Sequence, residues 1–85
     1  MWEDKLITIK FFAVLREVLG TSEMNFETSF PSTCEKILIH LGSLFPHLTP
    51  LLSSCLIAVN GSYASPKTFL SEGDELALLP PASGG

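Results

Sequence analysis

Residues 72–85 read EGDELALLPPASGG. Ser71-Glu72-Gly73-Asp74 is turn chemistry, and Glu75 to Leu79 follows with strand alternation. The period of two sends Leu76 and Leu78 to a core and Ala77 and Leu79 away from it. Pro80 and Pro81 lack backbone N–H groups and hold φ near −65°, so they stop the ladder and favour an extended exit. Ala82, Ser83, Gly84 and Gly85 are all small. Six extended residues reach on the order of 20 Å, and a Gly-Gly end threads channels too narrow for any Cβ. A last strand paired inside a sheet would give such a tail a rigid base.

Working back from that strand, residues 56–60, LIAVN, read as a buried strand with Gly61 at a turn, and Thr68-Phe69-Leu70 as a short edge piece. Pro46 to Ser54 is a connector with an apolar stretch from Leu48 to Leu52. Before it lies the clearest helix. Ser32 and Glu35 form an S-x-x-E capping box, and Cys34, Ile37, Leu38, Leu41, Leu44 and Phe45 fall on one helical face. Gly42 weakens this helix late and Pro46 ends it. At the start, Ile7, Ile9 and Phe11 alternate within KLITIKFF, residues 5–12. AVLREVL makes about two helical turns up to Gly20, and residues 23–30 alternate again through Met24, Phe26 and Thr28 as a second, antiparallel strand. The order strand, strand, long helix, strand, strand predicts an α+β domain: one mixed sheet with the helix across one face. The expected division is a domain over 1–79 and a flexible tail over 80–85.

Composition narrows the function. The chain's 85 residues allow one domain that buries roughly 60–65% of its unfolded surface. With 46% hydrophobic and 16% charged residues, part of the apolar surface is expected to face a partner. The net charge of −4, with scattered Lys5, Lys10, Arg16, Lys36 and Lys67, argues against nucleic acid. Two cysteines, Cys34 and Cys55, point to a reducing compartment. Trp2-Glu3-Asp4 breaks any leader-like start, and no apolar run is long enough for a bilayer. The expectation is a cytoplasmic protein with no membrane association.

Several constellations carry two readings. His40 and His47 lack metal-ligand spacing with the cysteines, so no metal is expected. Cys34 reads as a small core residue, and Cys55 as a half-buried thiol or a transient sulfur carrier. Ser53-Ser54 and Ser83 have no nearby base. Phe12 and Leu79 fall out of phase with the core, and Tyr63 lies just past the Asn60-Gly61 turn. They are either scattered surface residues or one apolar patch at the root of the tail. The Gly84-Gly85 end is either a frayed terminus or a carboxylate presented for activation. In the second case an ATP-using partner would adenylate Gly85, and sulfur would convert it to a thiocarboxylate.

FFAVLREVLG, IAVNG and EGDELALLPPASGG, taken in this order, resemble the small subunit of molybdopterin synthase, the MoaD-type ubiquitin-like sulfur carriers. The likeness runs from about Lys5 to Gly85. It implies a β-grasp fold, as in ubiquitin. It implies an E1-like adenylating enzyme (MoeB-type) that activates Gly85 with ATP, a sulfur donor acting through that activator, and a thiocarboxylate as the product. It further implies a MoaE-type large subunit that takes the tail into a pocket where sulfur passes to a cyclic pyranopterin precursor, in a heterotetramer of two small and two large subunits. Partner-binding roles carry over to Phe12, Arg16, Tyr63, Leu79, Pro80 and Pro81, with Gly84 and Gly85 as the reactive end. On this reading the chain binds no cofactor and contributes no catalytic side chain. A carrier for thiazole or tRNA thiolation, a protein modifier joined through Gly85 to lysine, and a plain interaction module remain open beside it.

Overall fold

Ile7, Ile9 and Phe11 alternate with Thr8 and Lys10, and that alternation becomes strand β1, Lys5–Phe11. The computed structural model of the chain describes residues 5–28 and 32–81. A tight turn leads from β1 into the short helix α1, Val14–Leu19, whose Leu15 is fully buried. Gly20 closes α1 in the left-handed conformation, φ 74°, and donates to the Arg16 carbonyl at 2.9 Å. Strand β2, Glu23–Thr28, then returns antiparallel to β1 with Phe26 opposite Ile7.

The two-residue strand β3, Ser32–Thr33, leads into helix α2, Cys34–Leu44. Capping occurs one residue later than the S-x-x-E pattern predicts. Thr33, not Ser32, is the N-cap, and its Oγ1 accepts from the Lys36 N–H at 3.3 Å. Ser32 is buried and committed to a ladder with Leu70. The Cys34 and Glu35 N–H groups, unpaired at any helix start, donate to the carbonyls of Thr68 (3.0 Å) and Pro66 (2.8 Å). Cys34, Ile37 and Leu41 face the core as predicted, whereas Leu44 is 54% exposed.

Pro46–Leu48 forms a 3₁₀ turn and Thr49–Ser53 a short helix, α3, where the sequence reads as a plain connector. Leu48 and Leu52 are buried there. Gly42 serves this approach: a Cβ at that position would lie 3.2 Å from Thr49 Oγ1. Strands β4, Leu56–Val59, and β5, Ser62–Ala64, form a hairpin through Asn60 and Gly61, both at positive φ (51° and 87°) as a two-residue I′ turn requires. Strand β6, Phe69–Leu70, pairs with β3, and β7, Glu75–Leu79, ends the described sheet.

The sheet order is β2-β1-β7-β4-β5. The β1–β7 pair is parallel and the other pairs antiparallel, so the sheet is mixed. Its inner face supplies Ile7, Ile9, Phe11, Leu76 and Leu78, and α1 and α2 add Leu15, Ile37 and Leu41; all eight are 1% exposed or less. Each such side chain contributes roughly 1.5–3 kcal/mol on burial. A helix held across one face of this mixed sheet is the β-grasp arrangement. No helix among the described residues is long and apolar enough to cross a membrane.

One local geometry opposes its residue type. Ala13 sits at φ 53°, ψ −128°, the first central position of a II′ turn closed by Leu15 N–H to Phe12 O at 3.2 Å. That region belongs to glycine, and a residue with a Cβ costs about 1–3 kcal/mol there. Glycine loses more freedom on folding, which offsets part of the relief. Ala13→Gly is therefore expected to raise stability by about 1 kcal/mol, seen as a rise of several degrees in Tm. A Tm that falls would show that the strain is not held at Ala13.

Candidate functional site

Inward alternation in β1, β7 and β4 leaves an outer sheet face of unlike character. Phe11 pairs with Leu78, so Phe12 comes level with Leu79, and Leu79 pairs with Leu56 across β4. In the adjacent row Lys10 pairs with Ala77, Ala77 with Ala58, and Ala58 with Tyr63 on β5. Phe12, Leu56 and Tyr63 are 40%, 58% and 76% exposed, while Leu79 and Ala77 are half-buried. The register therefore gathers Phe12, Leu79 and Tyr63 on one face, as one of their two sequence readings requires, and adds Leu56.

Leu56 is missing from the sequence reading because LIAV is an unbroken apolar run. Ile57 is buried, and the residue before it falls on the opposite face. Counting outward from Ile57 would have found it. The reading of 56–60 as a buried strand is corrected at Leu56 and at Asn60, which are both exposed.

Toward the other end of β1 the face becomes charged. Lys10 Nζ lies 3.0 Å from Glu75 and 3.9 Å from Glu23. The hydrogen bond that Lys10 donates to Glu75, and then the Glu75 charge, raise the Lys10 pKa above the usual lysine value. Glu23, Glu27 and Asn25 carry the same face onto the edge strand β2 through their pairing with Lys10, Leu6 and Thr8. A patch with an apolar head and a charged flank suits a protein partner, where apolar anchors carry most of the interface energy.

The other predicted positions fall around this patch. Arg16 is exposed on α1 and has no ion-pair partner among the described residues. Sheet pairing stops at Leu79; Pro80 is half-buried and Pro81 exposed. β7 is paired with β1 as far as Leu78 and with β4 as far as Leu79, so the strand is held on both sides almost up to the prolines. Gly84 and Gly85 lie outside the described residues, as does the predicted mobility of the tail.

The thiols do not join the face. Cys34 is fully buried, and burial pushes its pKa up. Cys55 donates from Sγ to the Leu51 carbonyl at 3.2 Å, and burial pushes it up to about 11. A thiol so shifted is mainly protonated at neutral pH, which weakens it as a nucleophile. His40 is exposed, its ring edge-on to Phe26 at 4.9 Å. No cluster of three or more metal-ligating side chains occurs among the described residues. A groove of about 520 Å³ between α2 and α3 is lined mainly by apolar groups such as Leu38, Ile39, Leu52 and Ile57.

Comparison with known proteins agrees with this geometry. The ThiS family model matches residues 9–85. The molybdopterin synthase sulfur carrier subunit of Chlamydomonas reinhardtii is 37% identical over 81 residues, covering 93% of this chain and 98% of that protein. The small archaeal modifier protein 1 of Haloferax volcanii superposes with a TM-score of 0.81 at 27% identity, covering 92% and 99% of the two chains. A complex of subunits 1 and 2 of the molybdopterin-converting factor from Helicobacter pylori matches with a TM-score of 0.61 at 28% identity, covering 94% of this chain and 99% of that one. The chain belongs to the ThiS family and, within it, to the MoaD-type molybdopterin synthase sulfur carrier subunits.

Proposed function

We propose that the protein is the sulfur carrier subunit of a molybdopterin synthase, working in the cytoplasm through a Gly85 thiocarboxylate. The observation that carries this reading is the outer face of Phe12, Leu79, Leu56 and Tyr63 at the root of a strand that leads into Pro80-Pro81-Ala82-Ser83-Gly84-Gly85.

A free carboxylate is a poor acyl donor. An E1-like, MoeB-type partner would transfer AMP from ATP to the Gly85 carboxylate and release pyrophosphate. A sulfide equivalent from the donor would then displace AMP and leave the thiocarboxylate. Its sulfur, now nucleophilic, would attack the cyclic pyranopterin precursor inside a MoaE-type large subunit. The protein's own part is delivery. Phe12, Leu56, Tyr63 and Leu79 dock on the large subunit, Arg16 adds a charged contact, and Pro80 and Pro81 aim the small residues into the pocket. Two carriers and two large subunits would make the heterotetramer. The subunit complex from Helicobacter pylori supports a large-subunit partner. No nucleotide or metal site is needed on this chain.

A second reading, protein modification through an isopeptide bond, is favoured by the likeness to the small archaeal modifier protein. Intact mass separates the two. After incubation with activator, ATP and a sulfur donor, the carrier is expected to gain the difference between sulfur and oxygen. Higher-mass conjugates alone would establish the modifier instead. Removing Gly85, or adding one alanine after it, is expected to abolish pterin sulfuration in the reconstituted synthase. Sulfuration that survives either change would leave the tail idle and end the carrier reading.

Docking has its own check. Leu79→Asp and Leu56→Asp should each weaken binding to the large subunit by about 2 kcal/mol or more, with far-ultraviolet circular dichroism unchanged. Leu78→Asp puts an unpaired charge in the core and is expected to unfold the domain. Unaltered affinity in both surface variants, measured calorimetrically, would remove this face from the interface.

A further inference from the structure

Asn60-Gly61 is the sequence most open to spontaneous deamidation in this chain, since Gly61 places no side chain in the way of its own nitrogen. In that reaction the Gly61 amide nitrogen attacks Asn60 Cγ. A C–N bond closes a five-membered succinimide, and Nδ2 leaves as ammonia with the Gly61 amide proton. Water then opens either ring carbonyl, giving aspartate or isoaspartate. The reaction needs the Asn60 amide to swing freely toward Gly61.

The structure holds that amide at both ends. Asn60 Nδ2 donates to Asp74 Oδ1 at 3.0 Å, and Asn60 Oδ1 accepts from the Glu75 N–H at 3.0 Å. The Glu75 donor requires an oxygen opposite it, so the orientation of the amide is fixed by its partners. The acceptor is fixed in turn. Asp74 Oδ2 accepts from the Ser71 N–H at 2.7 Å, and the Asp74 carbonyl accepts from the Thr8 N–H at 3.0 Å. The Asn60 backbone N–H also donates to the Glu75 carbonyl at 2.9 Å. The turn between β4 and β5 is thus tied to the start of β7.

We propose that Asn60-Gly61 is a latent deamidation site that the Asp74 carboxylate and the Glu75 amide hold closed in the folded protein. Conversion would be costly to the fold. Aspartate at 60 would set a second carboxylate where Asp74 now accepts a hydrogen bond. Isoaspartate would add a backbone methylene to a two-residue turn and disturb the Val59–Ser62 register, and with it Tyr63 on β5. If the docking reading above holds, such damage would also weaken the partner face.

The test follows the protein's own mass and so does not depend on that reading. Wild type, Asp74→Ala and Asp74→Asn are held in mildly alkaline buffer, folded and in denaturant, and peptides are mapped for the gain in mass and for isoaspartate. Asn25, which precedes the bulky Phe26, is the internal reference. Folded wild type should convert at Asn60 at least about tenfold more slowly than denatured chain, because a charge-assisted bond must open first. Folded Asp74→Ala should lose most of that protection. Asp74→Asn, which keeps a neutral acceptor, should fall between. If circular dichroism shows Asp74→Ala to be unfolded, Asp74→Asn against wild type decides the role of Asp74. Conversion as fast in folded wild type as in denaturant, or folded variants no faster than wild type, would overturn the proposal.

Discussion

The interior position of β7 is the constraint on which the rest of the structure depends. A strand paired on one side can fray, but β7 is laddered to β1 in parallel and to β4 in antiparallel sense. Its period of two divides it between two tasks. Leu76 and Leu78 are fully buried and lock the strand to α2, while Ala77 and Leu79 remain half-buried on the outer face. A register slip of one residue would exchange the two sets, exposing core leucines and burying the outward ones. The two prolines follow directly after Leu79, where the ladder stops.

Elements whose pattern depends on near neighbours were legible in the sequence. β1 and β7 alternate without interruption, and α2 shows Cys34, Ile37 and Leu41 at helical spacing. The failures share a cause in contacts distant along the chain. Ser32 looks like a cap, yet Leu70 claims it for a ladder and capping passes to Thr33. The three residues of β5 are too few to show a period, and they become a strand through the I′ turn and the ladder it sets up with β4. The helical course of Pro46–Ser53 was hidden by Pro46, which reads as a breaker; Pro46 and Pro50 both sit in the first turn of a helical piece, where no N–H is required.

For the outer face, sequence identified members but not membership. Phe12 and Leu79 are each out of phase with buried neighbours and Tyr63 follows the Asn60-Gly61 turn, which are local facts. That they share a surface depends on how β1, β4 and β5 are set beside β7, and no single-strand pattern contains that information. Leu56 was lost for the opposite reason, since an apolar run conceals which member of it points outward. Arg16 owes its assignment to the family pattern alone; its exposure on α1 is compatible with that role.

The high apolar content now has a physical account. A helix-covered sheet normally needs one apolar face, with the other left polar toward water. Here the second face is apolar over the end where β7 gives way to the prolines, and charged at the other, where Lys10 is held by Glu75 and Glu23. The charged groups at that end, Lys10, Glu75 and Glu23, are engaged with one another. The thiols lie off this face, Cys34 buried and Cys55 half-buried, with Cys55 pushed up to about 11. What the apolar end of the face offers is a rigid docking surface beside the start of the tail. That is the property required of a carrier whose reacting atom sits at the far end of a glycine tail.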